Sequence, residues 1–360
     1  MSRFLLAGLV LVLWGCGGAS GDEPAPAAAG AGGSAGQSGA GSGGEAGSPQ
    51  GSGAGGAAGA GGAKPPPFVA DPEARTRLSE AGFFADLESK QPAADLVAFE
   101  PRFAFWSDGV EKKRWLWLPP GTKVDASDPD HWRFPIGARL YKEFSQNGKR
   151  LETRLVERTG PGTFDYWMGA FVWLEDQSDA VFAEEGAADV LGTQHDVPKA
   201  KLCPSCHNGE PSRVLGFSAM QLEGSPVAAM GLVDPPPPAV PGPPGGDVAR
   251  AALGYLHANC GHCHYDGGLA WRDTDVVLRL SVAETTVESS EIYTSNLGVP
   301  VQFFQEGGLT LRVDGGAPDQ SALLFRMNYR GDDKQMPPIA TERVDEQGVR
   351  LVRDWIMTLP

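Results

Sequence analysis

The spacing of apolar and polar positions divides the chain into stretches of different character. Phe4 to Trp14 is an apolar run preceded by Arg3, too short to span a bilayer and shaped like the hydrophobic region of an export signal over residues 1–15. From there to about residue 67 the chain is almost wholly Gly, Ala and Ser. With nothing to bury, residues 16–67 are expected to be a disordered tether with a reach of roughly 40 Å. Folded sequence begins near Phe68, and Leu78, Ala81 and Leu87 predict a short helix over 75–87. Strand signals follow. Arg114–Leu118 alternates aromatic and apolar residues and stops at Pro119-Pro120-Gly121. Arg139–Phe144 and Leu151–Arg158 read as a hairpin about Asn147-Gly148, and Tyr166–Leu174 as a further aromatic strand. Short strands broken by Gly and Pro predict an all-β, sandwich-like module over 68–233.

A Pro/Gly run at 234–246 has linker character, and the periodicity then changes. Asp247 is placed to cap a helix reaching Asn259, with Val248, Ala251, Ala252, Tyr255 and Leu256 as its buried stripe. Ser321–Tyr329 has helical spacing, Met336-Pro337-Pro338 is a stiff loop, and a last helix starts at Asp345 with Val349, Val352, Trp355, Ile356 and Leu359 on one face. Val276–Val313 reads as an inserted β segment. The expected class is therefore α+β and multidomain, an all-β module followed by a mostly α domain over 247–360 that carries a β insertion.

Charge narrows the partners. With 45 acidic and 30 basic residues the net charge is −15, which repels phosphate backbones and favours a basic protein partner. Six tryptophans (Trp106, Trp115, Trp117, Trp132, Trp167, Trp173) fall in the β module and read first as core.

Cysteine placement carries the chemistry. Four of the five cysteines form two CxxCH motifs, Cys203-Pro204-Ser205-Cys206-His207 and Cys260-Gly261-His262-Cys263-His264. Two thiols at this spacing can each add S–H across one vinyl group of a haem, and the following His then reaches the iron. A four-cysteine zinc site brings its pairs within about 15–20 residues, much closer than these, and no βαβ pattern surrounds either motif as in a thioredoxin-like pair. The expected cofactors are two covalently attached haems c, with His207 and His264 as proximal ligands. Met336, in a proline-stiffened loop between helices, suits the distal position of the second haem, whereas Met327 reads as core. For the first haem His195, Met220 and Met230 are candidates beside an open site. His131 and His257 read as surface or structural residues, and His262 as a spacer within its motif.

Two resemblances add to this. Leu13-Trp14-Gly15-Cys16 resembles a bacterial lipobox, which implies cleavage before Cys16 and a lipid on its thiol. From about Ala98 onward the chain resembles a family of exported bacterial dihaem c-type cytochromes, in which a β-rich module carries the first CxxCH and a class I cytochrome c domain the second. The residues that carry the likeness are Phe105-Trp106-Ser107-Asp108, Phe134-Pro135-Ile136-Gly137, Glu152-Thr153-Arg154-Leu155, Val172-Trp173 with Gln177-Ser178-Asp179-Ala180, Tyr255-Leu256, Asn259-Cys260, Met336-Pro337-Pro338, Val344-Asp345 and Trp355-Ile356. The resemblance implies a lipid-anchored electron carrier in the outer membrane or periplasm of a Gram-negative bacterium, with the cell surface as a further option. Its partners would be a redox protein and, through Cys16, a membrane, and not nucleic acid. The alternatives are a peroxidase- or oxidase-type haem enzyme and a surface binding module with accessory haems.

Overall fold

The structure, a computed structural model, describes residues 68–360 apart from positions 305 and 340. The expected signal segment, tether and Cys16 lie outside the described residues. Among the described residues the strands are β1 Phe84–Asp86, β2 Gln91–Pro92, β3 Val97–Ala98, β4 Glu111–Trp117, β5 Val124–Asp125, β6 Arg139–Gln146, β7 Lys149–Arg158, β8 Tyr166–Trp173, β9 Ala180–Phe182 and β10 Val233–Asp234. The α-helices are α1 Cys203–His207, α2 Ala219–Leu222, α3 Pro226–Ala229, α4 Asp247–Asn259, α5 Glu291–Thr294, α6 Ala322–Asn328 and α7 Glu346–Met357. The protein is thus α+β: an antiparallel sheet region over 84–182 is followed by a more helical C-terminal part. No helix among them is long and apolar enough to cross a membrane.

The main sheet has the order β3-β4-β6-β7-β8-β9 and is antiparallel throughout. β6 and β7 turn on Asn147 and Gly148, whose φ values of 51° and 76° put both in the left-handed region that a tight hairpin requires. In place of two large facing sheets there is this one sheet with different cover on each face. Alternation sends Trp115, Tyr141, Leu155, Phe171 and Trp173 to one side, where they pack with Leu78, Ala81, Phe83 and Phe84. Phe83 meets Trp115 and Tyr141 at centroid distances of 5.0 and 4.9 Å. The helix expected over 75–87 is only a 3-10 turn at Leu78–Ala81, because Gly82 takes φ 74° and turns the chain into β1.

The opposite face sends Leu116 and Leu140 into a core with Trp132, Phe134 and Phe217. The same core holds Leu253 and Leu256 of α4, Leu324 of α6 and Val352, Trp355 and Ile356 of α7. The boundary at 234–246 is therefore a change of secondary structure and not a break in the core; Val240, inside the run, is itself buried there. α4 has the expected limits, but its N-cap is Gly246 and no side chain caps it, Asp247 being already the first helical residue. Of the expected stripe Ala252 and Leu256 are buried and Tyr255 packs against the core, Val248 is 45% exposed, and Leu253 and His257 are inside as well. The segment 276–313 holds the short helix α5 and, for β structure, isolated bridges only, Leu297–Val313 and Pro300–Leu311 among them, with turns at Gly298 and Gly307-Gly308 interrupting any longer ladder.

Candidate haem sites

The first motif is itself the short helix α1, with Pro204 in its first turn, where a missing N–H costs nothing. The second follows directly on α4, whose Leu256 carbonyl accepts the Cys260 N–H at 2.9 Å. Gly261 is required at this exit. A Cβ there would lie 2.6 Å from the His257 carbonyl oxygen and 3.0 Å from that of Leu278.

Far apart in sequence, the two motifs meet in space. A Cβ on Gly209, two residues after His207, would lie 2.8 Å from the His262 carbonyl oxygen and 3.2 Å from the Cα of Gly268. The Tyr265 hydroxyl donates to the Gly209 carbonyl, and Cys206 and Cys263 lie within electrostatic reach of one another. Glu210 and Arg279 clasp the junction. Their side chains are 6% and 11% exposed and form an ion pair, with His131 Nδ1 3.6 Å from the same carboxylate. Burial alone would raise Glu210, yet Arg279 and His131 outweigh it and hold the carboxyl at about 2.

Both motif histidines are held neutral by burial. Burial lowers both His207 and His264 to about 4, so each imidazole keeps a lone pair at neutral pH. His207 Nδ1 lies 2.6 Å from the Arg213 carbonyl oxygen, which can only accept, so Nδ1 donates and Nε2 is left free. Arg213 holds that carbonyl in place from a left-handed backbone, φ 56°. The Nδ1 of His264 has no partner among the described residues.

All four cysteines are unpaired and half-buried. Burial raises Cys203 and Cys206, and with the neighbouring thiol it raises Cys260 to about 12; burial, Cys206 and Glu210 raise Cys263 to about 12. Without a metal ion, these surroundings keep the four sulfurs as neutral thiols. Among the described residues no three His, Cys, Asp or Glu side chains are grouped to hold a bare metal ion. The residues present fit a covalently held haem.

Met336 is half-buried, and its backbone is pinned to the end of α6. Its N–H donates to the Arg326 carbonyl at 3.0 Å and its carbonyl accepts from Arg330 at 3.3 Å. Arg326 lies within electrostatic reach of His264. Met327 is buried in the core. Of the candidates for the first haem, two are engaged otherwise and one is exposed. His195 is buried with Nε2 2.8 Å from Glu152, Met220 is 1% exposed in the core, and Met230 is 62% exposed.

Several residues here escaped the sequence reading. The Trp106 backbone N–H donates to the Asn259 side-chain oxygen at 2.7 Å, and Asp108 accepts from the Glu342 and Arg343 backbones at 2.9 and 2.8 Å. Phe105-Trp106-Ser107-Asp108 thus ties the sheet region to both ends of the helical part. His257 is structural, accepting the Leu280 N–H at 3.0 Å, whereas His262 is more than a spacer: its ring faces Phe105 at 6.3 Å and lines a cleft with Phe217, Glu210 and Arg279. A groove of about 690 Å3 runs along β4 past Phe99, Arg102, Arg114 and Trp115. Gln221 lines both groove and cleft, and its buried amide nitrogen has no partner among the described residues.

No family model, no curated protein and no solved structure matches this chain.

Proposed function

We propose that this chain is an exported, lipid-anchored dihaem c-type cytochrome that moves electrons one at a time between two thioether-bound haems and a protein partner. The observation that carries this reading is the meeting of two CxxCH motifs across Gly209 and His262, with His207 oriented by the Arg213 carbonyl. Haem would supply one-electron redox chemistry at neutral pH. The protein's own contribution is to bury both imidazoles in their neutral form, to keep the motif sulfurs as neutral thiols, and to hold the motifs against one another. In this reading 247–360 is the class I cytochrome c part, with Met336 as distal ligand, and the acidic surface steers a basic redox partner. Proximity of the motifs favours exchange between the haems over two separate functions.

The deciding experiment is a pyridine haemochrome assay with intact-mass analysis on protein matured in a host that attaches haem c. Two haems per chain are expected, falling to one in Cys203→Ser/Cys206→Ser and in Cys260→Ser/Cys263→Ser. Colourless or zinc-loaded wild type would overturn the reading.

One observation favours a second reading, a peroxidase- or oxidase-type enzyme. Two of the three distal candidates for the first haem, His195 and Met220, are held elsewhere and the third, Met230, is exposed to solvent, which fits an open site. A ferrous carbon monoxide difference spectrum separates the two: binding at one haem supports the enzyme, and binding at neither supports the carrier.

A further inference from the structure

The register of the main sheet lines up three cations. Arg114 on β4 stands opposite Lys142 on β6, and Lys142 stands opposite Arg154 on β7. Lys112, two residues before Arg114 and so on the same face, adds a fourth. Like charges directly opposed across strands destabilise a sheet, so such a line needs anions.

Only one member has a carboxylate. Arg154 grips Glu152 through Nε at 3.0 Å and Nη2 at 2.6 Å, and Glu152 in turn holds His195. Lys112 donates to the Phe105 carbonyl at 2.8 Å. Among the described residues Lys142 and Arg114 have no ion-pair partner; Lys142 Nζ lies over the rings of Phe144 and Phe105 at 4.7 and 5.6 Å. Burial, with Arg114 and Arg154 beside it, pushes the Lys142 ammonium well below its ordinary value, and burial with Arg114 brings Lys112 to about 8. Glu152 lies within electrostatic reach of Lys142, Glu100 of Arg114, and Asp108 and Asp345 of Lys112, but none of these carboxylates forms an ion pair with the three cations.

The line runs beside the paired motifs. Lys142 is within electrostatic reach of Cys206, His207 and His262, and Arg154 of Cys203, Cys206 and His207. Phe105, beneath Lys142, faces the His262 ring. At the other end Arg114 lines the 690 Å3 groove, which shares Gln221 as a wall with the His262 cleft.

We infer that Lys142 and Arg114, with Arg154 alongside, form a clamp for the carboxylates of a tetrapyrrole attached at Cys203 and Cys206, an inference that rests on the haem reading above. It makes the β-sheet part of the cofactor site, with a charge-assisted grip on propionate groups.

The test uses full-length holoprotein as wild type, Lys142→Gln, Arg114→Gln, Lys142→Arg and, as a control on the opposite face of β4, Lys113→Gln. Haem content, midpoint potential at fixed pH and the propionate bending band in the resonance Raman spectrum are measured. A cation beside the ring favours the reduced state, so Lys142→Gln and Arg114→Gln are expected to shift the reduction equilibrium of one haem by about tenfold, about 59 mV lower. The propionate band should move with it. Lys142→Arg should restore both and Lys113→Gln should change neither. If wild type carries two haems while neither glutamine variant alters potential or band, the cations serve another anion and the clamp is overturned. If wild type carries none, the haem reading itself fails and takes the clamp with it.

Discussion

Gly209 shows how one residue sets the relation between the motifs. It has no side chain because the His262 carbonyl and Gly268 backbone occupy the place where a Cβ would stand. Gly209→Ala must separate them, at a cost of about 1–3 kcal/mol by overpacking, visible as a lower midpoint in chemical denaturation. Arg279 acts through charge. Arg279→Met leaves Glu210 buried with only His131 nearby and should cost about 3–5 kcal/mol in the same assay, whereas the double variant with Glu210→Gln should recover most of the loss. Neither residue was legible from the sequence. Gly209 is one glycine of 49, and Glu210 and Arg279 are ordinary charges until folding puts them together.

Elements were legible where local pattern and tertiary packing agree. The Asn147-Gly148 hairpin follows from turn chemistry, α4 from period without the expected Asp247 cap, and α7 from period and capping, Asp345 accepting the Gly348 N–H at 2.9 Å. The buried side of α4 was legible at Ala252, Tyr255 and Leu256 but not at Val248, and Phe103 packed against Gly254 shows that the inward side also takes in Leu253. Leu253→Ala should therefore cost about 2–5 kcal/mol in thermal or chemical unfolding, and Val248→Ala less than about 0.5. The tryptophans follow the core reading in the main. Trp132, Trp167 and Trp173 are buried, and Trp115 and Trp117 pack against the core beneath the sheet. The cation line had a trace in the sequence, since Lys112 and Arg114 sit two apart in one strand. Only pairing with β6 and β7 shows that Lys142 and Arg154 share their face.

On the scale of the molecule, the sheet region and the helical region share one core, with Leu116 and Phe134 packed in the same cluster as Leu256 and Trp355. Residues 247–360 expressed alone would leave that surface open. They should show weak or non-cooperative unfolding and loss of near-ultraviolet circular dichroism, while the full chain unfolds as one transition. The two CxxCH motifs and the main helices were determined by the sequence alone, because residue spacing, capping and apolar period act over a few residues. Which CxxCH segment lies against which, how the His207 ring is turned, and where unmatched cations gather were decided only by the tertiary structure. Those features depend on groups far apart in the chain, and their interaction exists only once strand register and core packing have placed them within ångströms of one another.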